Sequence, residues 1–216
     1  MSYNNSYIVC KPKPNNCNGS PCTCPKSELI RNGGFEIAGT SETFRDWSLD
    51  NFVLTGTFPS TNSYDGTFSA GFLTNRSPEV IRKTVRLFQN VTVTPGCLLQ
   101  LSFAAEFGRA GTNFTDLDVI ARVYYGNPDL GSSNQIDLIR IEIDYDEDQV
   151  LKISPSTQFS QGFTFYQKVA DIPVPYNVTN VTVEFTFTAL DTATDLDTRW
   201  FLDEVSLRAV SPICNC

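Results

Sequence analysis

Between Thr67 and Ala209 the chain repeatedly places apolar or β-branched residues at every second position, and Gly, Pro, Asn and Asp punctuate the runs. Successive side chains of an extended strand point to opposite faces, so such runs predict half-buried strands. The clearest is Asn180-Val-Thr-Val-Glu-Phe-Thr-Phe-Thr188, which assigns Val181, Val183, Phe185 and Phe187 to one buried face. Further strands are expected over Thr67–Thr74, Thr84–Thr94, Leu98–Phe107, Asp118–Tyr125, Ile136–Asp144, Phe163–Val169, Val178–Thr188 and Arg199–Ala209. No stretch carries the apolar stripe of an amphipathic helix. About ten strands over roughly 180 residues predict an all-β domain, a two-sheet jelly-roll sandwich.

The flanks break this pattern. Residues 1–27 hold Lys11-Pro12-Lys13-Pro14, Asn15-Asn16 and Asn18-Gly19-Ser20-Pro21, with few apolar positions beyond Tyr3, Tyr7, Ile8 and Val9. Proline fixes φ and favours extended chain, so this segment reads as a connector and not as part of a core. Fully extended, it could span on the order of 90 Å, further than one domain reaches. The expected organisation is a connector over 1–27, the sandwich over 28–209 and a short tail over 210–216.

The cysteines follow the same division. Of seven, Cys10, Cys17, Cys22 and Cys24 lie near the start, Cys214 and Cys216 at the end, and only Cys97 between. A domain of this size does not need disulfide staples, so the six flanking cysteines point to assembly: disulfides between chains. Two other arrangements stay open: a thiolate metal site at the Cys-x-Cys pairs, and disulfides within one chain. The odd count leaves at least one thiol unpaired or shared with another molecule. Cys97 follows the turn signal Thr94-Pro95-Gly96 and is expected to be a buried free thiol, with pairing to a flank as the alternative.

Composition narrows the function. The chain of 216 residues has no histidine, which excludes Ser-His-Asp and Cys-His catalysis and every His-ligated metal. A net charge of −8 argues against nucleic acid and anionic membranes as partners. No apolar run is long enough to span a bilayer, and the polar, proline-rich start lacks the plan of a secretory signal. Catalysis is not expected: no carboxylate pair is placed by a motif, and there is no phosphate-binding loop. Two acidic clusters, Asp144-Tyr145-Asp146-Glu147-Asp148 and Asp191, Asp195 and Asp197, read as a solvated hairpin tip and a loop. Asp116 and Asp118 should share an exposed strand face. The seven Asn-x-Ser/Thr sequons, beginning at Asn4, Asn18, Asn75, Asn90, Asn113, Asn177 and Asn180, are taken as a by-product of an Asn- and Thr-rich composition.

Four motifs carry a resemblance. Leu29-Ile30-Arg31-Asn32-Gly33-Gly34-Phe35-Glu36 followed by Trp47, Tyr64-Asp65-Gly66-Thr67-Phe68-Ser69-Ala70, Phe88-Gln89-Asn90-Val91-Thr92-Val93 with Pro95-Gly96, and Trp200-Phe201-Leu202-Asp203-Glu204-Val205-Ser206-Leu207 are similar to jelly rolls of the carbohydrate-binding-module type. The likeness is nearest to the domains that precede collagen-like repeats in spore-surface proteins of Gram-positive spore formers. It implies packed Trp47 and Trp200. It also implies a structural calcium at Glu36 and Asp203, with carbonyls near Asp65, as oxygen ligands suit that ion; strand-end hydrogen bonds are the alternative for these carboxylates. The Cys-rich connector resembles, in plan, the subunits of bacterial endospore appendages. Together these imply a structural subunit that assembles head-to-tail into a disulfide-cross-linked fibre on the spore surface, made in the mother cell, with itself and other spore-coat or exosporium proteins as partners. The connector could dock by adding Tyr7-Ile8-Val9 to an open sheet edge. A carbohydrate-binding or adhesin-like protein is the alternative. Its partner would be a glycan, and Tyr64, Phe107, Phe114, Tyr124, Tyr125 and Tyr145 are its candidate stacking residues.

Overall fold

The computed structural model describes residues 24–39, 44–52, 55–74, 81–109, 114–126, 135–146, 162–191 and 199–210. They form ten strands: β1 (Ser48–Phe52), β2 (Thr55–Ser60), β3 (Ser69–Thr74), β4 (Ile81–Thr92), β5 (Leu98–Arg109), β6 (Phe114–Tyr125), β7 (Ile136–Asp146), β8 (Thr164–Val169), β9 (Asn180–Asp191) and β10 (Arg199–Val210). Two five-stranded sheets result, in the orders β1-β4-β9-β6-β7 and β2-β3-β10-β5-β8, with every pairing antiparallel. The expected jelly-roll sandwich is the observed fold. Among the described residues no helix is long and apolar enough to cross a membrane.

Alternation places the core. In β9, Val181, Val183, Phe185 and Phe187 all face inward and are buried, as the period-two pattern requires. They meet the inner row of the opposite sheet: Phe185 stands edge-on to Phe103 of β5 at 5.1 Å, and Phe72 of β3 lies 5.8 Å from Phe187. Trp200 of β10 is fully buried against both Phe72 and Phe187. Each such aromatic contributes about 1.5–3 kcal/mol through removal from water, which makes this aromatic seam the main cohesion between the sheets.

The Asn32–Glu36 motif is a clasp. Asn32 takes a left-handed backbone (φ 52°), which Asn tolerates better than most residues. Its Nδ2 donates to the carbonyls of Ile37 and Arg45, and its Oδ1 accepts from the Ile37 amide. This turn drops Phe35 into a buried cluster with Phe44 and Trp47, and the Trp47 indole N–H donates to the Asn32 carbonyl at 3.0 Å. Trp47 and Trp200 are both packed, as expected.

Two expectations are corrected here. Cys24 and Cys97 form a disulfide within the chain, with Cα atoms 5.8 Å apart and both residues buried. Cys97 is therefore not a free thiol, and Cys24 does not belong with the cysteines expected to bond between chains. The cause is topological: Gln89 of β4 bonds Arg31 through both its amide atoms, and Glu28 pairs with Arg208 of β10, so the entering chain is held across the sandwich end beside the start of β5. Cys10, Cys17, Cys22, Cys214 and Cys216 lie outside the described residues. The acidic run is the second correction. Asp144, Tyr145 and Asp146 belong to β7, with Asp144 and Asp146 opposite Asp118 and Asp116 of β6, and so are not a hairpin tip. Asp191 closes β9, whereas Glu147, Asp148, Asp195 and Asp197 lie outside the described residues.

Candidate functional site

The two outer faces differ in character. On the β1-β4-β9-β6-β7 sheet, Glu184 points away from the core yet is only 3% exposed. Arg86 of β4 covers it from one side, donating through Nε and Nη2 to its Oε2, and reaches Asp50 of β1 at 3.2 Å. From the other side Arg122 of β6 lies 3.7 Å away, itself anchored on Asp137 of β7 and stacked over the Tyr124 ring. The buried Tyr124 hydroxyl donates to Glu184 at 3.0 Å. Burial and the adjacent carboxylate push the Tyr124 phenol upward. For Arg86, burial works against the charge, but the hydrogen bond and charge of Glu184 outweigh it and raise its pKa. Around Glu184, the described side chains of this face form a closed charge network.

The outer face of the β2-β3-β10-β5-β8 sheet is open. Here cross-strand register brings Ser206 of β10, Ser102 of β5 and Gln167 of β8 into one row. The next row holds Arg208, Gln100 and Val169. Two adjacent serines cannot fill the space their longer neighbours leave, so the sheet surface sinks into a groove of about 330 Å³. Phe165 of β8 and Tyr64 from the β2–β3 loop border it, each 52% exposed. Tyr64 stands edge-on to Phe163 at 5.8 Å, which restrains its ring. Exposed aromatic rings beside hydroxyl, amide and guanidinium groups are the chemistry that grips a flat, hydroxyl-rich ligand.

One end of the groove is acidic. A register shift in β10 between Asp203 and Ser206 accompanies a left-handed Glu204 (φ 50°). Asp203 is fully buried and pins the β2–β3 loop, its Oδ2 accepting from the amides of Tyr64 and Asp65 and its Oδ1 from Glu204. Glu36 Oε1 accepts from the amides of Thr67 and Phe68. Burial raises the pKa of Asp203 despite these bonds, with Glu36 adding to it. Burial, Asp203, Asp65, Glu36 and Glu28 all raise that of Glu204. At the opposite side, Glu28 bonds Arg208 and Ser206. Burial alone would raise its pKa, but the bonds from Ser206, the Ile30 and Leu207 amides and Arg208 lower it.

The three residues expected to hold calcium thus gather around one loop. Glu36 and Asp203 make the strand-end hydrogen bonds that were the alternative, and Asp65 Oδ1 accepts from Gly66. Among the described residues, no group of three acidic or thiol side chains is close enough to hold a metal ion. Glu204, which lines the groove, is the acidic residue the motif reading passed over.

Of the expected stacking residues, Tyr64 is at the groove. Phe107 and Tyr124 are buried and Tyr125 packs against the core, so these three are corrected: the first and third fall on inward positions of their strands, and Tyr124 is roofed by Arg122. The side chains of Phe114 and Tyr145 lie outside the described residues. Phe165 was missed because both faces of β8 mix apolar and polar residues and nearly every position is exposed, so only its register with Ala104 shows that it points outward.

No protein-family profile and no curated protein sequence matches this chain. Solved structures do. The structure of TmCBM61 in complex with β-1,4-galactotriose superposes with a TM-score of 0.51 at 12% identity, covering 85% of this chain and 99% of that one. The CBM22-1 xylan-binding domain from Paenibacillus barcinonensis Xyn10C follows at a TM-score of 0.49 and 13% identity, covering 88% and 98%. At 12% identity the property shared with TmCBM61 is the fold, a jelly-roll sandwich of the carbohydrate-binding-module type.

Proposed function

We propose that this chain binds glycans in the groove on the outer face of β10, β5 and β8. The observation that carries this is the pair of exposed rings, Tyr64 and Phe165, bordering a depression floored by Ser102 and Ser206. Sugar rings stack on such aromatic faces while their hydroxyls bond polar side chains, here Gln100, Gln167 and Arg208. The fold shared with TmCBM61, crystallised with a galactose oligosaccharide, supports the reading. A non-catalytic role accompanies it. The test is a glycan array with the full chain, followed by calorimetry. Phe165→Ala and Tyr64→Ala should each weaken the best ligand about tenfold or more. Full-strength binding by both variants would refute the groove.

A second reading has its own support. With Cys24 and Cys97 paired within the chain, five of the seven cysteines remain, an odd number. At least one of them stays a thiol or bonds another molecule. This favours assembly through Cys10, Cys17, Cys22, Cys214 and Cys216 into a cross-linked fibre, with the spore surface as its place by resemblance. Both properties can belong to one molecule. Oligomers on non-reducing gels that collapse with reductant, and filaments by negative-stain microscopy, are the expected results. A monomer without filaments under oxidising conditions would end this reading.

A further inference from the structure

The groove also has a charge preference, and this inference rests on the glycan-binding reading. Its lining carries two carboxylates, Asp65 and Glu204, and a single cation, Arg208. That cation is already engaged by Glu28, at 3.2 Å. Behind Glu204 stand Asp203 and Glu36, neither of them paired with a cation in the bonds that hold them, which all come from backbone amides. The field in the groove is therefore negative at the end where Tyr64 offers its ring. Uronic acids and sulfated sugars would meet like charge there, and a neutral sugar would leave the charge unanswered.

We propose that the groove selects a cationic glycan, one built of amino sugars with free amines, seating an ammonium between Glu204 and Asp65 while a sugar ring lies on Tyr64 or Phe165. An ammonium meeting these carboxylates gains the Coulomb attraction of a partly desolvated pair, and the aromatic wall supplies the part of recognition that charge alone lacks. The small serine floor leaves room for the unsubstituted ring.

The experiment is calorimetry on the full chain at about pH 6, where an amine of ordinary basicity is protonated, with EDTA present so that no divalent ion answers the carboxylates. The probes are fully deacetylated and fully N-acetylated chito-oligosaccharides of equal length, a galactosamine oligosaccharide, and a lysine peptide of matching charge. One of the amino glycans should bind about tenfold tighter than the acetylated one, and added salt should erode the difference. Glu204→Gln and Asp65→Asn, each checked for an intact fold by its melting temperature, should bring the two affinities together. Equal or tighter binding of the acetylated sugar would overturn the charge preference and leave glycan binding standing. Equally tight binding of the lysine peptide would also overturn it, since no sugar would then be recognised. If none of these oligosaccharides binds at all, the cationic-glycan proposal falls, while the glycan array decides the wider reading separately.

Discussion

The amide of Val205 donates to the carbonyl of Gly33 at 3.0 Å, and the Val205 carbonyl occupies the space that any side chain at Gly33 would need. A Cβ there would lie 2.0 Å from that oxygen, and both partners are backbone, so neither can swing aside. Gly33→Ala should therefore push the first motif off the last strand. A loss of about 2–4 kcal/mol in urea unfolding is expected, larger than an ordinary overpacked site. A neutral effect would mean that the clasp is not closed in solution.

The Cys24–Cys97 bond closes a loop with a sequence separation of 73. Cys97→Ser should cost about 3–4 kcal/mol, chiefly by freeing the unfolded chain. Strong reductant should bring the wild-type protein to the same stability, and peptide mapping without reduction should recover the two cysteines in one linked fragment. Recovery of Cys24 linked to a different cysteine would contradict the pairing.

Glu184 holds two arginines and a tyrosine at once. Replacing it with Gln leaves Arg86 and Arg122 facing each other over a neutral amide, and partial exposure of both arginines softens the penalty. The expected loss is about 2–4 kcal/mol. The double change of Glu184→Gln with Arg86→Met should recover part of it.

Glu204 and Asp203 have raised pKa values in the fold, so the folded state takes up their protons more readily than the unfolded one. They disfavour folding at neutral pH, and stability should rise as pH falls through their folded values towards the ordinary carboxylate values of 3.8 and 4.5. Glu28 runs the other way: lowered in the fold, it supports folding above the unfolded value of 4.5 and loses that support as pH falls through its lower folded value. Glu204→Gln should thus raise the melting temperature at neutral pH and make little difference in acid. A drop at neutral pH would show that Glu204 is held by a favourable partner.

The calcium expected from the resemblance has a separate test. Since the carboxylates of Glu36 and Asp203 are occupied by backbone amides, millimolar EDTA or calcium should leave the melting temperature of the protein where it is. A rise of several degrees with calcium would place a cation at this loop.

The sandwich was readable because burial on one side of a strand imposes period two, and β9 obeys it at every inward position from Val181 to Phe187. β1 and β2 were not readable: the chain changes sheet between Phe52 and Thr55, and Pro59 stands in an edge strand, so no sustained alternation forms. The groove was half readable. Tyr64 sits in a turn rich in Asn, Asp and Gly, where exposure is expected, whereas Phe165 depends on cross-strand register, which no local pattern encodes. The pairing of Cys24 was hidden for the same reason: it stands among flanking cysteines in sequence, and only the clasp carries it to Cys97.

That bond also decides how the domain carries tension. A pull applied to the chain ahead of Cys24 and resisted beyond β10 passes through the sulfurs directly to Cys97, at the foot of β5, which lies inside its sheet between β10 and β8. Along the covalent path, the intervening stretch with β1 to β4 and the Asn32–Glu36 clasp is bypassed, and only its hydrogen bonds to β10 couple it to the load. In a tethered molecule those strands could remain folded while force runs past them along a covalent path.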